Sequence, residues 1–478
     1  MKRTLLLLFT IPLFVSCGKD AIEVFDAKAK KFAESKHIIT LEELTDLQHY
    51  AGQNQGEPGF EEFFTNEKLD NAKLVSYLEK GKKYKVEKPY NPRADVVNIY
   101  IENSLSMLGY INNNGSGFKN ALAQIFSVSE KFKGYTSNYI NSEIIPADLN
   151  TDNIVGINTA AFTRGNVKSS NLDGVFKTVL DQTKNNTISI LVSDCIYSIE
   201  KGDATELLKR QALLTQRTFE NKVNKANELA TLVIKLDSDF AGTYYDKRDR
   251  AHEKVAIKRP YYIIIMGDDA SVAYFKSKID FSTLDGYANS YTINSKNYSD
   301  NLYHSVVTLK NSNSMFRPID DLSDGKSIKG IEDISVDEGD FNITVALDLS
   351  HLPVDGAYIT DKSNYTITTG DYVVKNIKAY NPKDIEARDA TTIKQSGVAP
   401  THLVTFKATS KHYESLTFSL TRKTPVWVKD TDIQDDTDVT TIGGKTFGFQ
   451  HLIKGIEKAY TAQNGTTPYF EILITINN

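Results

Sequence analysis

The sequence is poor in the residues that mark the commonest chemistries. It has two cysteines, Cys17 and Cys195, in 478 residues. Its eight histidines (37, 49, 252, 304, 351, 402, 412 and 451) are scattered, and none is near Cys195 in sequence. No thiol–imidazole pair is therefore legible, and no complete catalytic set is found. The formal net charge is only -5. Phosphate binding needs clustered Lys and Arg, so this mild acidity argues against nucleic acid as the main partner. After the first residues no run is apolar enough to span a bilayer, which takes roughly twenty residues. No internal repeat stands out.

What is present at the start is an address. Met1-Lys2-Arg3 precedes an apolar run from Leu5 to Val15, then Ser16 and Cys17. A short basic start, a short apolar stretch and a small residue before the cut mark a signal peptide over residues 1–16. Ser16-Cys17 resembles a lipobox, although Phe14 stands where Leu is usual. The resemblance implies cleavage before Cys17 and lipid on that cysteine. Gly18-Lys19-Asp20 looks like the start of Bacteroidetes-type lipoproteins. The expected location is then the cell envelope, lipid-anchored at the outer membrane, on its periplasmic face or at the cell surface. An ordinary secretory peptide with a chance cysteine is the alternative. With Cys17 taken by lipid, Cys195 has no disulfide partner. It follows an apolar strand, and burial as a small hydrophobe is its simplest use.

Length allows two or three domains. Residues 17–94 read as a small helical region and linker. Thr40-Leu41-Glu42-Glu43 forms a capping box, opening a helix with Leu41, Leu44, Leu47 and Tyr50 at helical spacing. Residues 95–285 alternate strands and helices. Strands are expected at Val96–Ile101, Ile188–Val192, Thr231–Leu236 and Pro260–Gly267. Helices are expected over Phe118–Phe132 and Asn171–Thr183, from Ala204 to about Leu229, and from about Ala270. Such apolar strands between helices point to an α/β fold, a doubly wound and mostly parallel sheet covered on both faces. Residues 286–478 read as an all-β, sandwich-like region of one or two small domains. One helix is expected there, near Phe449 to Tyr460.

In open parallel sheets, ligands gather beyond the carboxyl ends of the strands. The first strand is followed by Glu102-Asn103-Ser104-Leu105-Ser106, and the Ile188 strand by Ser193-Asp194. Ser169-Ser170-Asn171 precedes the helix between them. At these residues the chain resembles the von Willebrand factor A-type (VWA) domain. That family holds a divalent cation with an Asp-x-Ser-x-Ser loop, a Thr in a middle loop and an Asp after a later strand. Position by position, the resemblance implies Glu102, Ser104, Ser106, Ser170 and Asp194 as metal ligands. Mg²⁺ is the ion implied, or Mn²⁺ or Ca²⁺, for Mg²⁺ prefers six hard oxygens. Glu102 departs from the pattern by one methylene, and Leu105 replaces a small residue. The alternative is a fold kept without its ion, where Ser104 and Ser106 only cap a helix.

Other acids are candidates too. Gly267-Asp268-Asp269 follows a strand and opens a helix, either at the ligand edge or as a simple N-cap. Asp430, Asp432, Asp435, Asp436 and Asp438 follow the only tryptophan, Trp427; spaced acids can hold Ca²⁺, but the spacing is not that of an EF-hand, and a solvated loop is the simpler reading, as for Asp321, Asp324, Asp333, Asp337 and Asp340. Tyr244, Tyr245, Tyr261 and Tyr262 read as packing residues. The function implied is a membrane-anchored binding or adhesion module, recognising a protein partner through the VWA-like domain, with or without the ion. A phosphatase-like, metal-dependent hydrolase using Glu102, Asp194 and Asp268, with Ser104 attacking, is one alternative. A metal-free scaffold subunit of an envelope complex is the other.

Overall fold

The computed structural model describes residues 20–477, apart from 37–38, 66–67, 87–93, 113–116, 168–170, 198–201, 224–228, 249, 324 and 463–466. Residues 1–16, Cys17 and Ser170 therefore lie outside the described residues. The chain divides into two compact units, Met1–Asn91 and Pro92–Asn478. Among the described residues no helix is long and apolar enough to cross a membrane.

The first unit is helical. Helices α1 (Ala21–Lys36), α2 (Leu41–Gln53) and α3 (Asn71–Ser76) gather around Phe25, Leu47, Phe60, Phe63 and Leu74, all fully buried. The rings pack edge-on or tilted, with Phe25 and Phe63 5.4 Å apart and Phe63 and Tyr77 4.9 Å apart. The capping box forms as read: the Glu43 amide donates to Thr40 Oγ1 at 3.3 Å, and the Thr40 amide to Glu43 Oε2 at 2.9 Å.

The second unit holds a seven-stranded mixed sheet. Its strands are β1 (Val96–Glu102), β2 (Gly134–Ile140), β3 (Ile144–Pro146), β4 (Thr187–Ser193), β5 (Leu229–Tyr245), β6 (Ala251–Asp268) and β7 (Tyr287–Asn294), in the order β3-β2-β1-β4-β6-β5-β7. β2, β1 and β4 run parallel. The other strands join antiparallel, so the expected parallel sheet is confined to these three. The reason is a hairpin. β5 and β6 are joined by a tight turn where the alternating strand–helix pattern would have supplied a crossover helix, and a tight turn reverses direction.

Helices cover both faces. On one, α5 (Gly117–Ser129) and α8 (Asp269–Lys276) bury Phe118, Leu122, Ile125 and Phe275 against Ile99, Ile101, Ile190, Val192, Ile263 and Ile265. On the other, α6 (Leu172–Gln182), α7 (Ala204–Val223) and α9 (Phe449–Thr461) bury Val175, Phe219, Phe449 and Ile453 against Tyr100, Leu191, Val233, Tyr262 and Ile264. Each fully buried aliphatic or aromatic side chain contributes about 1.5–3 kcal/mol, so burial on two faces holds these strands together. Helix α9, read from sequence inside the β region, thus packs on this sheet; Phe449 stacks on Tyr262 with ring centres 4.3 Å apart.

Between α8 and the C-terminus lie two further sheets. The first comprises β8 (His304–Val307), β11 (Asn342–Leu347), β13 (Tyr372–Ala379) and β14 (His402–Ala408), in the antiparallel order β8-β11-β14-β13. The second comprises β9 (Ser314–Pro318), β10 (Gly330–Val336), β12 (Tyr365–Thr369), β15 (Leu416–Leu420) and β16 (Phe470–Ile476). Its order is β9-β10-β16-β15-β12, with β10 and β16 parallel. Residues from both, among them Ile343, Val345, Phe406, Phe418 and Ile472, share one buried cluster.

One feature of the large sheet decides what its edge can do. β5 and β6 pair from Leu229 opposite Asp268 to Tyr245 opposite Ala251, but β4 follows β6 only to Tyr262 and β7 follows β5 only to Leu236. The rest of the hairpin is a two-stranded ribbon that runs on past the sheet. It lies against helix α4 (Leu108–Ile111), where Gly109 and Gly242 allow close approach. A Cβ on Gly109 would stand 2.2 Å from the Phe240 ring.

Candidate functional site at the strand ends

β1 and β4 are adjacent and parallel, with Ile101 opposite Val192. Parallel neighbours end at the same edge, so Glu102, the Ser104–Ser106 loop and Asp194 come together there. The Ser193 hydroxyl donates to Glu102 Oε2. The Cys195 amide donates to Ser193 Oγ at 2.8 Å. Ser104 Oγ and Ser106 Oγ share a hydrogen bond of 3.0 Å. Ser104 makes no side-chain capping bond to the short 3-10 turn Leu105–Met107, so the pairing with Ser106 is what this hydroxyl does. Asn103 holds the loop from behind: its amide nitrogen donates to the carbonyls of Phe162 and Arg164 at 3.0 and 2.8 Å, and its oxygen accepts from Asn141 at 2.9 Å. Asn171, next to the undescribed Ser170, caps α6.

The group is enclosed. Glu102, Ser104 and Asp194 are 3%, 4% and 1% exposed. The ribbon supplies Phe240, Tyr244 and Arg259 beside Tyr110 from α4. Arg259 is fully buried, and its guanidinium lies 4.5 Å from the Tyr244 ring centre, 4.9 Å from Phe240 and 6.0 Å from Tyr110. Among the described residues none of its three side-chain nitrogens has a hydrogen-bond partner, and neither does Asp194 Oδ2. Burial pushes the Asp194 carboxyl above its ordinary value, against the opposing pull of the Arg259 charge, the Ser106 hydroxyl and the Ile196 amide. Asp436, also buried, accepts from Tyr244 Oη at 2.5 Å and from the Lys247 amide at 2.9 Å. It places a second carboxylate behind the ring on which Arg259 rests.

A divalent ion such as Mg²⁺ wants six hard oxygens, and a buried cation beside its ligands opposes its charge. Asp194 Oδ2 and the two serine hydroxyls are suitable donors. The remaining terms do not fit: Glu102 Oε2 is held by Ser193, and an arginine, always charged, sits buried beside Asp194. Among the described residues no three His, Cys, Asp or Glu side chains converge anywhere. Arg259 supplies a positive charge to Asp194 from within the chain itself.

Other candidates fall elsewhere. Asp268 sits at the opposite edge, because β6 runs antiparallel to β4. Its carboxylate accepts from the Ser271 amide at 2.7 Å as the N-cap of α8, and from the Asn186 amide before β4. Six residues of strand, about 20 Å, separate it from Tyr262, which pairs with Ser193. Glu102, Asp194 and Asp268 are therefore not brought together, and the ligand-edge reading of Gly267-Asp268-Asp269 is corrected. Asp435 and Asp438 bond hydroxyls within their own loop, as a solvated loop would, but Asp436 does not. Cys195 is fully buried, and burial pushes its thiol well above the ordinary value. Sequence reasoning missed Arg259, which the ribbon brings in from far along the chain, and it read Asp436 as part of a solvated loop, whereas Asp436 is buried and bonded to Tyr244. The chain matches no protein-family model, no curated protein and no solved structure.

Proposed function

We propose that the protein is a lipid-anchored envelope protein whose VWA-like domain binds a protein partner through the loops at this strand edge, without a divalent ion. The observation that carries the reading is the convergence of Glu102, Ser104, Ser106 and Asp194 beyond two adjacent parallel strands. Parallel strands flanked by helices on both faces support the doubly wound, VWA-like reading of this unit. The single core shared by the two C-terminal sheets supports a sandwich beside it.

In this account Arg259 takes the charge role of the ion. With the acids balanced internally and covered, the site braces the edge, and recognition falls to the exposed loop residues around it, such as Arg164. A scaffold role follows from the same geometry, since a braced edge needs no cofactor to present its loops. A photo-crosslinking residue in place of Arg164 should trap one discrete protein adduct in intact cells. The same residue at Lys177, exposed on α6, should not. No adduct from the Arg164 position, or an equal one from Lys177, would sink the reading.

A further inference from the structure

A sheet edge offers a row of unpaired main-chain groups to any strand that can reach it. Proteins blunt such edges with charge, proline, bulges or short length. Most edges of the large sheets here are blunted. β3 is short and ends in Pro146. β9 carries Arg317 and Pro318, β13 carries Lys375 and Lys378 around a bulge, β12 is bulged, and β8 has four residues. β7 is different. It pairs only with β5, through a ladder that is regular from Asn289 to Asn294. None of its residues, Tyr-Ala-Asn-Ser-Tyr-Thr-Ile-Asn, is charged or proline. Among the described residues, no backbone–backbone hydrogen bond outside the sheet ladder reaches the chain from Ala288 to Ile293.

Two cavities lie beside this edge. One, of about 740 Å³, is bordered by Thr292; the other, of about 540 Å³, by Ser290 and Tyr287. They share Lys276 and Ser277 at the end of α8, and so form one slot along the strand. The partners of β7 show which of its faces looks into the slot. Tyr291 donates to Glu457 of α9 at 2.9 Å, and Ile293 packs in the core on that side. Ser290, Thr292 and Asn294 point the other way, where Asn294 donates to Asp269 of α8 at 2.6 Å. Ser290 and Thr292 are thus same-face neighbours about 7 Å apart, one beside each cavity. A strand laid along β7 would repeat that spacing and deliver alternate side chains to the two cavities in turn. Val272, Leu302 and Leu352 are apolar walls of the larger cavity, Ile279 and Phe281 of the smaller. Residues 348–353 close the far side of the larger one, which suits a single strand and not the edge of a second sheet.

We propose that β7 is a strand-addition site: an extended segment of a partner protein pairs with it along the main chain and places alternate aliphatic side chains in the two cavities. The inference goes beyond the reading of the strand-end loops and stands without it, since it uses none of their residues.

The test is fluorescence anisotropy on the full mature chain in detergent, with a fluorescein-labelled peptide of sequence Glu-Thr-Val-Thr-Val-Thr-Val-Thr-Lys as the probe. Saturable, one-to-one binding is expected. N-methylation of the central amides keeps the side chains and removes the main-chain donors, and should weaken binding about tenfold or more. Ser290→Lys puts a long charged chain in the slot, and Ala273→Phe fills the larger cavity from α8. Each should weaken binding by a similar factor, with melting temperatures confirming that the variants fold. Absence of saturable binding, equal affinity for the methylated peptide, or binding that survives in either folded variant would each overturn the proposal. So would a dimer of the free chain in sedimentation that Ser290→Lys disperses, for the edge would then belong to a second copy.

Discussion

Replacing Arg259 by methionine isolates the charge that the strand-end acids rely on. Methionine keeps most of the length and the apolar contact with Tyr110, Phe240 and Tyr244. What is lost is a buried cation beside Asp194 and Asp436. Removing one partner from a buried set of charges costs about 3–5 kcal/mol. Proton uptake limits the cost, because a carboxylate left without its cation picks up a proton at about 1.4 kcal/mol per unit of pKa shift. The pH dependence follows from Asp194. Its folded pKa is raised above the ordinary 3.8. Between those values the folded state holds a proton that the unfolded chain has released, so stability falls as pH rises. Without Arg259 the folded pKa climbs further, and the window extends upward. Urea unfolding should therefore show Arg259→Met weaker by about 3–5 kcal/mol at pH 8, with a smaller deficit at pH 5. Adding Asp194→Asn should recover about 1–3 kcal/mol, because the two sites are coupled. A variant as stable as the parent at pH 8, or a deficit that Asp194→Asn leaves unchanged, would refute the reasoning.

Gly109→Ala should loosen the ribbon from α4, since the new Cβ would meet Phe240. Overpacking of this kind costs about 1–3 kcal/mol, read as a melting temperature lower by roughly 2–4 °C per kcal/mol. Asp246 at the ribbon turn accepts from Arg250 at 2.8 Å and from His252 at 3.0 Å, bonds that hold its carboxyl below the usual range despite burial. Asp246→Asn should cost about 1–2 kcal/mol at pH 7. That difference should close as acid protonates Asp246 in the parent, because a depressed carboxyl loses its stabilising effect as pH falls. Cys17→Ala should abolish incorporation of labelled palmitate and move the protein out of the membrane fraction; label retained by the variant would remove the lipid anchor from the account.

The sequence carried the fold where burial is two-sided or periodic. Val96–Ile101, Ile188–Val192 and the α6 and α9 patterns gave clear apolar signals, and the structure places strands and helices there. It was silent where strands are polar. β2 reads Gly-Tyr-Thr-Ser-Asn-Tyr-Ile, and its buried Ser137 and Asn138 are satisfied by hydrogen bonds that no period reveals. β13 is an edge strand, mostly exposed, and the first half of β6 is equally wet, so neither alternates clearly. Strand direction was hidden for a related reason: the polar residues from Asp246 to Lys258 carry no signal that marks a hairpin. That reversal sent Asp268 to the far edge. The site was half legible. Glu102, Ser104, Ser106 and Asp194 follow apolar strands and could be found by position. Arg259 precedes Pro260 in a polar stretch, and nothing local marks it as fully buried.

The central claim, that the strand-end acids are balanced by Arg259 in place of an ion, is tested most directly by thermal melting of the full mature chain with and without Mg²⁺, Mn²⁺ and Ca²⁺. An ion that binds the folded state at a hundred times its dissociation constant adds about 2.7 kcal/mol and must raise the melting point. The account predicts no change with any of the three. A rise of several degrees that vanishes in Asp194→Ala would contradict it.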